Sequence, residues 1–344
     1  MSGGVDPRAR EARGRADYKR YGLTRGDPYR HRDLDPRQER DRALLVDFAG
    51  VPFDEIEEQL VRARAAGGAA AFLLSGREAT GRTSLARLIA HQYRELHELG
   101  DDFRLVVYEE IDHDSLRRAQ EVLKAIRNEL MELGGWGEHR DRLLEVVPNG
   151  VGPTRPEILD LQAQAGFLTN YMRKRMKPPR ALGLLIEGMQ NDDFLDTLAV
   201  VFARVDLLVI VTRDDYRTAD TADPDRMNER DRWRRWALPV QVPLLSGDDV
   251  DLLARNRWQH EAPDLECPFE LSGVRDTFGA RRPPVGRALH WLGWLLRCRL
   301  DEHEGDDCWP AARELRIPAQ WIEKRVRQAE SAPTHAERGF RRAR

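Results

Sequence analysis

The sequence predicts an α/β fold, in which a parallel sheet with flanking helices is followed by a small helical lid domain. Strands that alternate with helices are typical of a doubly wound parallel sheet, because each crossover places a helix on one face. Four short apolar runs, separated by segments of helical periodicity, are the candidate strands: 69–74, 103–108, 181–186 and 205–211. Beyond residue 246 the periodicity is helical again, over 248–259, 284–300 and 310–330.

The segments outside these elements complete the predicted organisation. The first 40 residues are rich in Arg, Asp, Gly and Pro and lack periodic apolar positions, which indicates an irregular arm. Apolar residues at helical spacing within 41–66 predict helices that pack on the sheet, and a fifth strand candidate with two prolines, 238–244, suits a sheet edge. The predicted boundaries are 1–40 for the arm, 41–245 for the sheet domain, 246–330 for the lid and 331–344 for a basic tail.

The composition is that of a charged globular protein, with 41% hydrophobic and 33% charged residues among 344. No apolar run approaches the roughly 18 residues of a membrane span, and the amino terminus lacks the apolar segment of a secretory signal. We therefore expect a cytoplasmic protein without a membrane partner. Cys267, Cys298 and Cys308 form no C-x-x-C pair, which argues against a disulfide framework or a zinc site.

Net charge does not favour nucleic acid as a partner, because the whole chain carries only -3. The final residues 338–344 are basic, and we interpret them as a solvated tail. Residues 310–344 are too few for a winged helix, and their apolar positions predict packing within the lid. Lysine is scarce, since only five of the 56 basic residues are lysines.

Residues 76–84, Gly-Arg-Glu-Ala-Thr-Gly-Arg-Thr-Ser, follow the first strand candidate and precede a predicted helix at 83–99. This phosphate loop matches the pattern G-x-x-x-x-G-K-[ST] except that Arg82 replaces lysine. Small residues in such a loop let successive backbone N–H groups surround phosphate oxygens at a helix N-terminus, and the Thr83 hydroxyl would coordinate Mg²⁺. The predicted nucleotide-binding residues are Gly76, Thr80, Gly81, Arg82, Thr83 and Ser84.

Arginine at position 82 leaves three interpretations open. In a chain that uses arginine nearly everywhere, the guanidinium could replace the lysine ammonium as a phosphate ligand. Alternatively, Arg82 keeps the charge pairing but does not align the γ-phosphate with water, so nucleotide is bound without efficient turnover. In the third interpretation, Gly76 and Gly81 only shape a strand-to-helix turn.

A single acid, Glu187, ends the strand candidate that begins at 181. P-loop NTPases need an acid on a neighbouring strand to hold Mg²⁺, and commonly a second acid that orients the attacking water. Either Glu187 takes the metal role and Gly188 leaves the water unactivated, or Glu187 is the base and Ile186 has replaced the metal acid. Glu187 is thus both a catalytic and a metal-binding candidate, in an incomplete set.

The order of these motifs resembles that of an AAA+ ATPase, particularly the branch of origin-recognition, transposition-helper and secretion-associated ATPases, over residues 18–300. Tyr21-Gly22-Leu23, followed by Asp27-Pro28-Tyr29, is similar to the segment that these proteins place beside the adenine. The resemblance implies that Tyr21 and Leu23 bind the nucleotide and that ATP with Mg²⁺ is the cofactor. It also implies a homo-oligomer with a protein partner of unknown identity.

Three further catalytic candidates are implied by the same resemblance. Thr212, at the end of the fourth strand candidate, matches the polar sensor of the γ-phosphate. Arg235, just before the fifth strand candidate, matches the arginine that reaches a neighbouring subunit's site, with Arg234 as the second choice. Arg287, at a predicted helix start, matches the arginine of the lid.

Together these features predict an ATP-binding switch or assembly scaffold with weak or no hydrolysis. The departures at Arg82 and Gly188 fall on the γ-phosphate and metal positions, whereas the features needed for binding persist. Two alternatives stay open: an active ATPase that remodels a protein or nucleoprotein partner, and an interaction module that uses the fold without nucleotide.

Overall fold

A computed structural model describes most of the chain. The described residues are 18–23, 26–30, 32, 34–45, 50–99, 103–109, 114–134, 138–149, 156–174, 181–189, 192–214, 233–302 and 316–331. The chain divides into two compact units. The α/β unit comprises Gly50–Glu78 and Arg82–Val242, and the helical unit comprises Met1–Ala49, Ala79–Gly81 and Pro243–Arg344.

The strands of the α/β unit form a parallel sheet in the order β2–β3–β4–β1–β5, which confirms the predicted fold class. Among the described strands, β5 pairs with β1 alone, and it accommodates Pro239 because an edge strand leaves one side of its backbone without a ladder partner. The strands are β1 (Ala70–Gly76), β2 (Phe103–Glu109), β3 (Ala181–Met189), β4 (Leu208–Asp214) and β5 (Ala237–Gln241).

The helices of the described residues are numbered in chain order across both units. The first group is α1 (Glu39–Arg42), α2 (Phe53–Ala66), α3 (Arg82–Leu96), α4 (Ser115–Gly134), α5 (Glu138–Val146), α6 (Ile158–Lys174), α7 (Asp192–Phe202) and α8 (Trp233–Trp236). The second group is α9 (Gly247–Glu261), α10 (Leu271–Gly279), α11 (Val285–Asp301) and α12 (Ala319–Ser331). None of these helices is long and apolar enough to cross a membrane.

Both faces of the sheet are buried, so β1 is a continuous apolar run rather than an alternating one. Phe72 and Leu74 of β1 belong to one cluster, with side chains of α2 and α3. Ala71 and Leu73 belong to the other, with side chains of α4, α5, α6 and α7. Successive side chains of a strand point to opposite faces, and the unit therefore has three layers with the sheet in the middle.

The helical unit has its own apolar core, built mainly by α9, α11 and α12. Helix α9 begins with a capping box, in which the Ser246 hydroxyl accepts from the Asp249 N–H and the Asp249 carboxylate accepts from the Ser246 N–H. Ile317, Ile322 and Val326 are buried in the core, which confirms the predicted packing of this segment. Helix α10 was not predicted, because nine residues make too short a periodic pattern.

The described part of the N-terminal segment packs within the helical unit. It is irregular apart from the turn Lys19–Tyr21 and helix α1, as its composition predicts. Leu23 and Tyr29 are nevertheless buried, and the Tyr29 hydroxyl donates to the Ala254 carbonyl at 3.1 Å. Asp41 is also buried, and its hydrogen bonds with Arg32 lower the pKa of this carboxyl to about 2. The domain boundaries stay predictions, and residues 332–344 of the basic tail lie outside the described residues.

Candidate nucleotide site

The carboxyl ends of the strands bring Gly76, Glu187 and Thr212 to one edge of the sheet. In the register of the ladders, Gly76 at the end of β1 stands beside Asp214 of β4, and Glu187 of β3 stands beside Glu109 of β2. Helix α3 begins at Arg82, within the last residues of the phosphate loop. Open α/β sheets bind ligands at this edge, because loops and helix N-termini gather there.

The phosphate loop passes through two left-handed residues, Ala79 with φ 64° and Gly81 with φ 90°. Backbone that alternates between right- and left-handed conformations turns successive N–H groups into one concavity, which is a favourable site for an anion. Glycine suits position 81 because an L side chain is strained at this φ. The left-handed Ala79 is a strained residue of the kind that clusters at ligand clamps.

The loop residues 79–81 group with the helical unit, and they have contacts within it. The Gly286 N–H, in the first turn of α11, donates to the Ala79 carbonyl at 2.8 Å. A Cβ atom on Gly81 would lie 3.1 Å from Val285 Cγ1, which is a tight contact. Glycine at position 81 therefore satisfies both the backbone conformation and the available space. The Thr80 side chain is buried.

Thr83 and Glu187 meet in the α/β unit, although 104 residues separate them in the chain. The Thr83 hydroxyl donates to Glu187 Oε1 at 2.8 Å. A hydroxyl and a carboxylate are oxygen donors of the type that Mg²⁺ prefers, and Mg²⁺ usually takes only one or two protein carboxylates together with phosphate oxygens and waters. The pair therefore fits the predicted metal position. The described residues hold no cluster of three acidic, histidine or cysteine ligands that would bind a metal by themselves.

The conformation of Gly188 explains why no second acid follows Glu187. Gly188 has φ 78°, and the register between β3 and β4 shifts between Ile186 and Met189. Its N–H donates to Thr212 Oγ1 at 3.3 Å, so the predicted sensor threonine contacts the backbone of the neighbouring strand. An acidic side chain at position 188 would need this left-handed backbone, which is unfavourable for L residues other than glycine.

Replacing Gly188 with alanine should destabilise the protein by about 1 kcal/mol, since a left-handed alanine costs about that much. The space around the glycine is open, with no described atom within 4 Å of a Cβ atom built there, so no steric clash should add to this cost. The free energy of unfolding in urea measures the effect. Gly166→Ala on α6 is the control, because that glycine also has open space but has no positive φ. Equal stability of the Gly188 variant and wild type would contradict the assignment.

Arg82 makes a contact that the sequence did not predict. Its guanidinium donates to the carbonyl of Arg213 and to the carboxylate of Asp214, both at the end of β4. The two side chains are largely shielded, with 14% of Arg82 and 30% of Asp214 exposed. The sequence offered one local signal of Asp214, an acid three residues after the strand candidate 205–211. Ser84 follows in the first turn of α3 and is partly buried.

Arg235 is exposed at the amino end of β5, at the sheet edge opposite Glu187. It lines a cleft of about 800 Å³ together with Trp236 and residues of α6 and α7. Its neighbour Arg234 lies over the Trp233 ring, with the guanidinium carbon 5.2 Å from the ring centroid. The proposed reach of either arginine into another subunit stays a prediction.

Three predicted site residues outside the phosphate loop belong to the helical unit. Arg287 is exposed in the first turn of α11, next to Gly286. Tyr21 packs edge-on against Trp258, with ring centroids 5.7 Å apart, and Leu23 is fully buried in the same core. The expected contact of Tyr21 and Leu23 with an adenine stays a prediction.

Solved structures resemble this chain in fold, although no protein-family model and no curated protein matches it. The Aeropyrum pernix ORC2 protein, in ADPNP and ADP complexes, is 14% identical, with a TM-score of 0.52 over 90% of this chain and 73% of that chain. A Walker-type ATPase of Pyrococcus abyssi is 13% identical, with a TM-score of 0.43 over 92% and 80% of the two chains. The Aeropyrum pernix ORC1 protein in complex with DNA is 14% identical, with a TM-score of 0.41 over 86% and 73%. The first of these likenesses, together with the sheet order and the loop, identifies an AAA+ P-loop NTPase fold.

Proposed function

We propose that this protein binds ATP with Mg²⁺ at the phosphate loop and acts as a cytoplasmic switch or assembly scaffold that hydrolyses ATP slowly or not at all. The observation that carries the proposal is the 2.8 Å hydrogen bond from the Thr83 hydroxyl to Glu187, at the first turn of the helix that follows the loop. The structurally similar ORC2 protein has been solved with ADPNP and ADP, which supports a nucleotide as the ligand of this fold.

Thr83, Glu187, Arg82 and the start of α3 each have a part in the proposed binding. Thr83 and Glu187 would hold Mg²⁺, whose charge neutralises phosphate oxygens when it is bound. Backbone N–H groups at the start of α3 add the partial positive charge of a helix N-terminus, which favours an anion. Arg82 supplies a guanidinium that can donate hydrogen bonds to a phosphate instead of to its present partners.

Weak hydrolysis follows from the carboxylates that surround the loop. Glu187 is engaged with Thr83, and Asp214 is engaged with Arg82. The residue after Glu187 is a glycine whose backbone disfavours an acid. Glu109 stands beside Glu187 in the register, but it is exposed at the end of β2, further from β1. The set therefore offers no second acid directly after Glu187 to orient a water, which is a common requirement for phosphoryl transfer to water.

The proposed role as a scaffold depends on two residues, Glu187 and Arg235, that lie at opposite ends of the strands. Glu187 lies at the carboxyl edge, whereas exposed Arg235 lies at the amino end of β5. A second copy of the chain could bring its own Arg235 to the nucleotide site of the first, which would make assembly depend on bound ATP. In this proposal Thr212 and Arg287 sense the γ-phosphate, and Tyr21 and Leu23 contact the base.

Purified protein should bind ATP in the presence of Mg²⁺ with a Kd on the order of 1 μM, about -8 kcal/mol, and release no phosphate above background. Isothermal titration calorimetry measures binding, and a coupled phosphate assay measures release. Sedimentation velocity with and without ATP tests assembly in the same samples.

The outcomes separate the alternatives. Turnover on the order of 1 per second, which is a common enzyme rate, would replace the switch by an active ATPase. Absence of binding, with no shift of the thermal unfolding midpoint at millimolar ATP, would favour an interaction module that uses the fold without nucleotide. GTP and ADP titrations under the same conditions define the nucleotide preference.

A further inference from the structure

We propose that Asp214 limits the affinity of the phosphate loop for its ligand, because its carboxylate competes with ligand phosphates for the Arg82 guanidinium. The inference rests on the proposed nucleotide binding at this loop and adds a regulator to it. The ligand class is the phosphates, whose oxygens accept from the same guanidinium N–H groups as a carboxylate does.

The position of Asp214 in the sheet makes the competition specific. In the ladder between β1 and β4, Asp214 stands beside Gly76, the first residue of the phosphate loop. The backbone of the adjacent Arg213 also accepts a hydrogen bond from Arg82. The end of β4 thus binds the guanidinium through a neutral acceptor, the Arg213 carbonyl, and a charged one, the Asp214 carboxylate. These contacts keep Arg82 beside the first residue of the loop.

The chemistry of the pair explains why arginine, and not lysine, suits this arrangement. A guanidinium is a planar group with five N–H donors, which matches carboxylate and phosphate groups equally well. Asp214 and a phosphate are therefore interchangeable partners for Arg82. A lysine ammonium is a strongly hydrated point charge without the planar fork, and it would be bound less firmly by two acceptors on one strand end.

Partial burial strengthens the ion pair between Arg82 and Asp214. Arg82 is 14% exposed and Asp214 is 30% exposed, so water screens them less than it screens a fully exposed pair. A ligand must replace the carboxylate at Arg82, and the released carboxylate then repels the incoming anion. Both effects lower the affinity for phosphate.

Asp192 provides a matched control at the same end of the α/β unit. It lies at the start of α7 and accepts a hydrogen bond from Arg213 Nη1 at 2.5 Å, and it is 58% exposed. Asp192→Asn removes the same unit of charge as Asp214→Asn, but it does not remove a partner of Arg82. A general charge effect would raise the phosphate affinity of both variants, whereas competition for Arg82 would raise only that of Asp214→Asn.

The experiment compares wild type, Asp214→Asn and Asp192→Asn by calorimetric titration with ATP, AMP and inorganic tripolyphosphate, each with Mg²⁺. Asp214→Asn should bind ATP and tripolyphosphate about tenfold more tightly, as expected when one charge-assisted hydrogen bond need not be broken. The gain for AMP should be no larger, because the repulsion that the variant removes grows with the charge of the ligand. Asp192→Asn should stay within about twofold of wild type, as an exposed pair predicts.

A double variant tests whether the gain in phosphate affinity depends on Arg82. Arg82→Ala combined with Asp214→Asn should lose the gain that Asp214→Asn produces alone, because the two residues form one pair. Thermal unfolding checks that each variant is folded, and Asp214→Ala replaces the asparagine variant if that one does not fold.

The outcomes distinguish this inference from the proposed function. Wild-type binding of ATP, with equal or weaker binding by Asp214→Asn, overturns the competition and leaves the proposed function intact. An equal gain in Asp192→Asn, or a gain that persists without Arg82, also overturns it. Binding by Asp214→Asn alone supports it in its strongest form. Failure of both wild type and Asp214→Asn to bind any phosphate ligand overturns the proposed function and this inference together.

Discussion

Arg82→Ala should weaken ATP binding about 100-fold, which corresponds to about 2.7 kcal/mol. The variant loses charge-assisted hydrogen bonds to phosphate, each of which contributes roughly 1.5–3 kcal/mol. It also leaves Asp214, the present partner of Arg82, unpaired beside the first residue of the phosphate loop. Calorimetric titration with ATP and Mg²⁺ measures the loss.

The lysine variant separates charge from geometry at the same position. Arg82→Lys restores the usual residue of the phosphate-loop pattern, and it should bind ATP within about tenfold of wild type because the positive charge remains. It should not gain phosphate release, since Gly188 is unchanged and no second acid is added. Arg62→Ala is the control for a lost arginine, because Arg62 is an exposed residue of α2 that pairs with Glu58. Unaltered ATP binding by Arg82→Ala would contradict a role of Arg82 at the phosphates.

Phe72→Ala should cost about 3–5 kcal/mol of unfolding free energy, the usual range for a buried phenylalanine. Phe72 lies in the middle of β1, is fully buried, and packs in the cluster between the sheet and helices α2 and α3. The alanine would leave a cavity between these layers. Urea unfolding, followed by circular dichroism, measures the change.

Val61→Ala on α2 is the matched control for this truncation. Its side chain is 47% exposed, and its loss should stay within about 0.5 kcal/mol. Since β1 leads directly into the phosphate loop, ATP binding by folded Phe72→Ala also shows how far the loop depends on its supporting strand. A loss below about 1 kcal/mol would show that Phe72 is not the core residue that its burial indicates.

The elements with strong local patterns were predictable from the sequence. A strand that is buried on both faces must be apolar throughout, and this is why β1, β3 and β4 were found as short apolar runs. The edge strand β2 was found as well, although Arg104 and Val107 are exposed. The pair Gly76 and Gly81, with Thr83 after them, predicted a loop between a strand and a helix because glycine spacing and a helix start are local features. The prolines near β5 predicted an edge for the same reason.

Contacts between distant residues were decided by the tertiary structure. Arg82 and Asp214 are 132 residues apart, and the local sequence around either one carries no signal of the other. Glu187 was recognised as an acid at a strand end, but its hydrogen bond with Thr83 depends on β3 and α3 meeting at one edge. The positive φ of Gly188 depends on the register shift between β3 and β4.

The phosphate loop shows both contributions in one segment. The sequence by itself determined its residues, its place between β1 and α3, and the arginine at position 82, because these follow from the order of amino acids along the chain. Only the tertiary structure decided that Arg82 pairs with Asp214 and that Thr83 pairs with Glu187. The physical reason is that the sheet order places β4 next to the loop strand and β3 beyond β4, and the sequence pattern of each strand does not encode which strand becomes its neighbour.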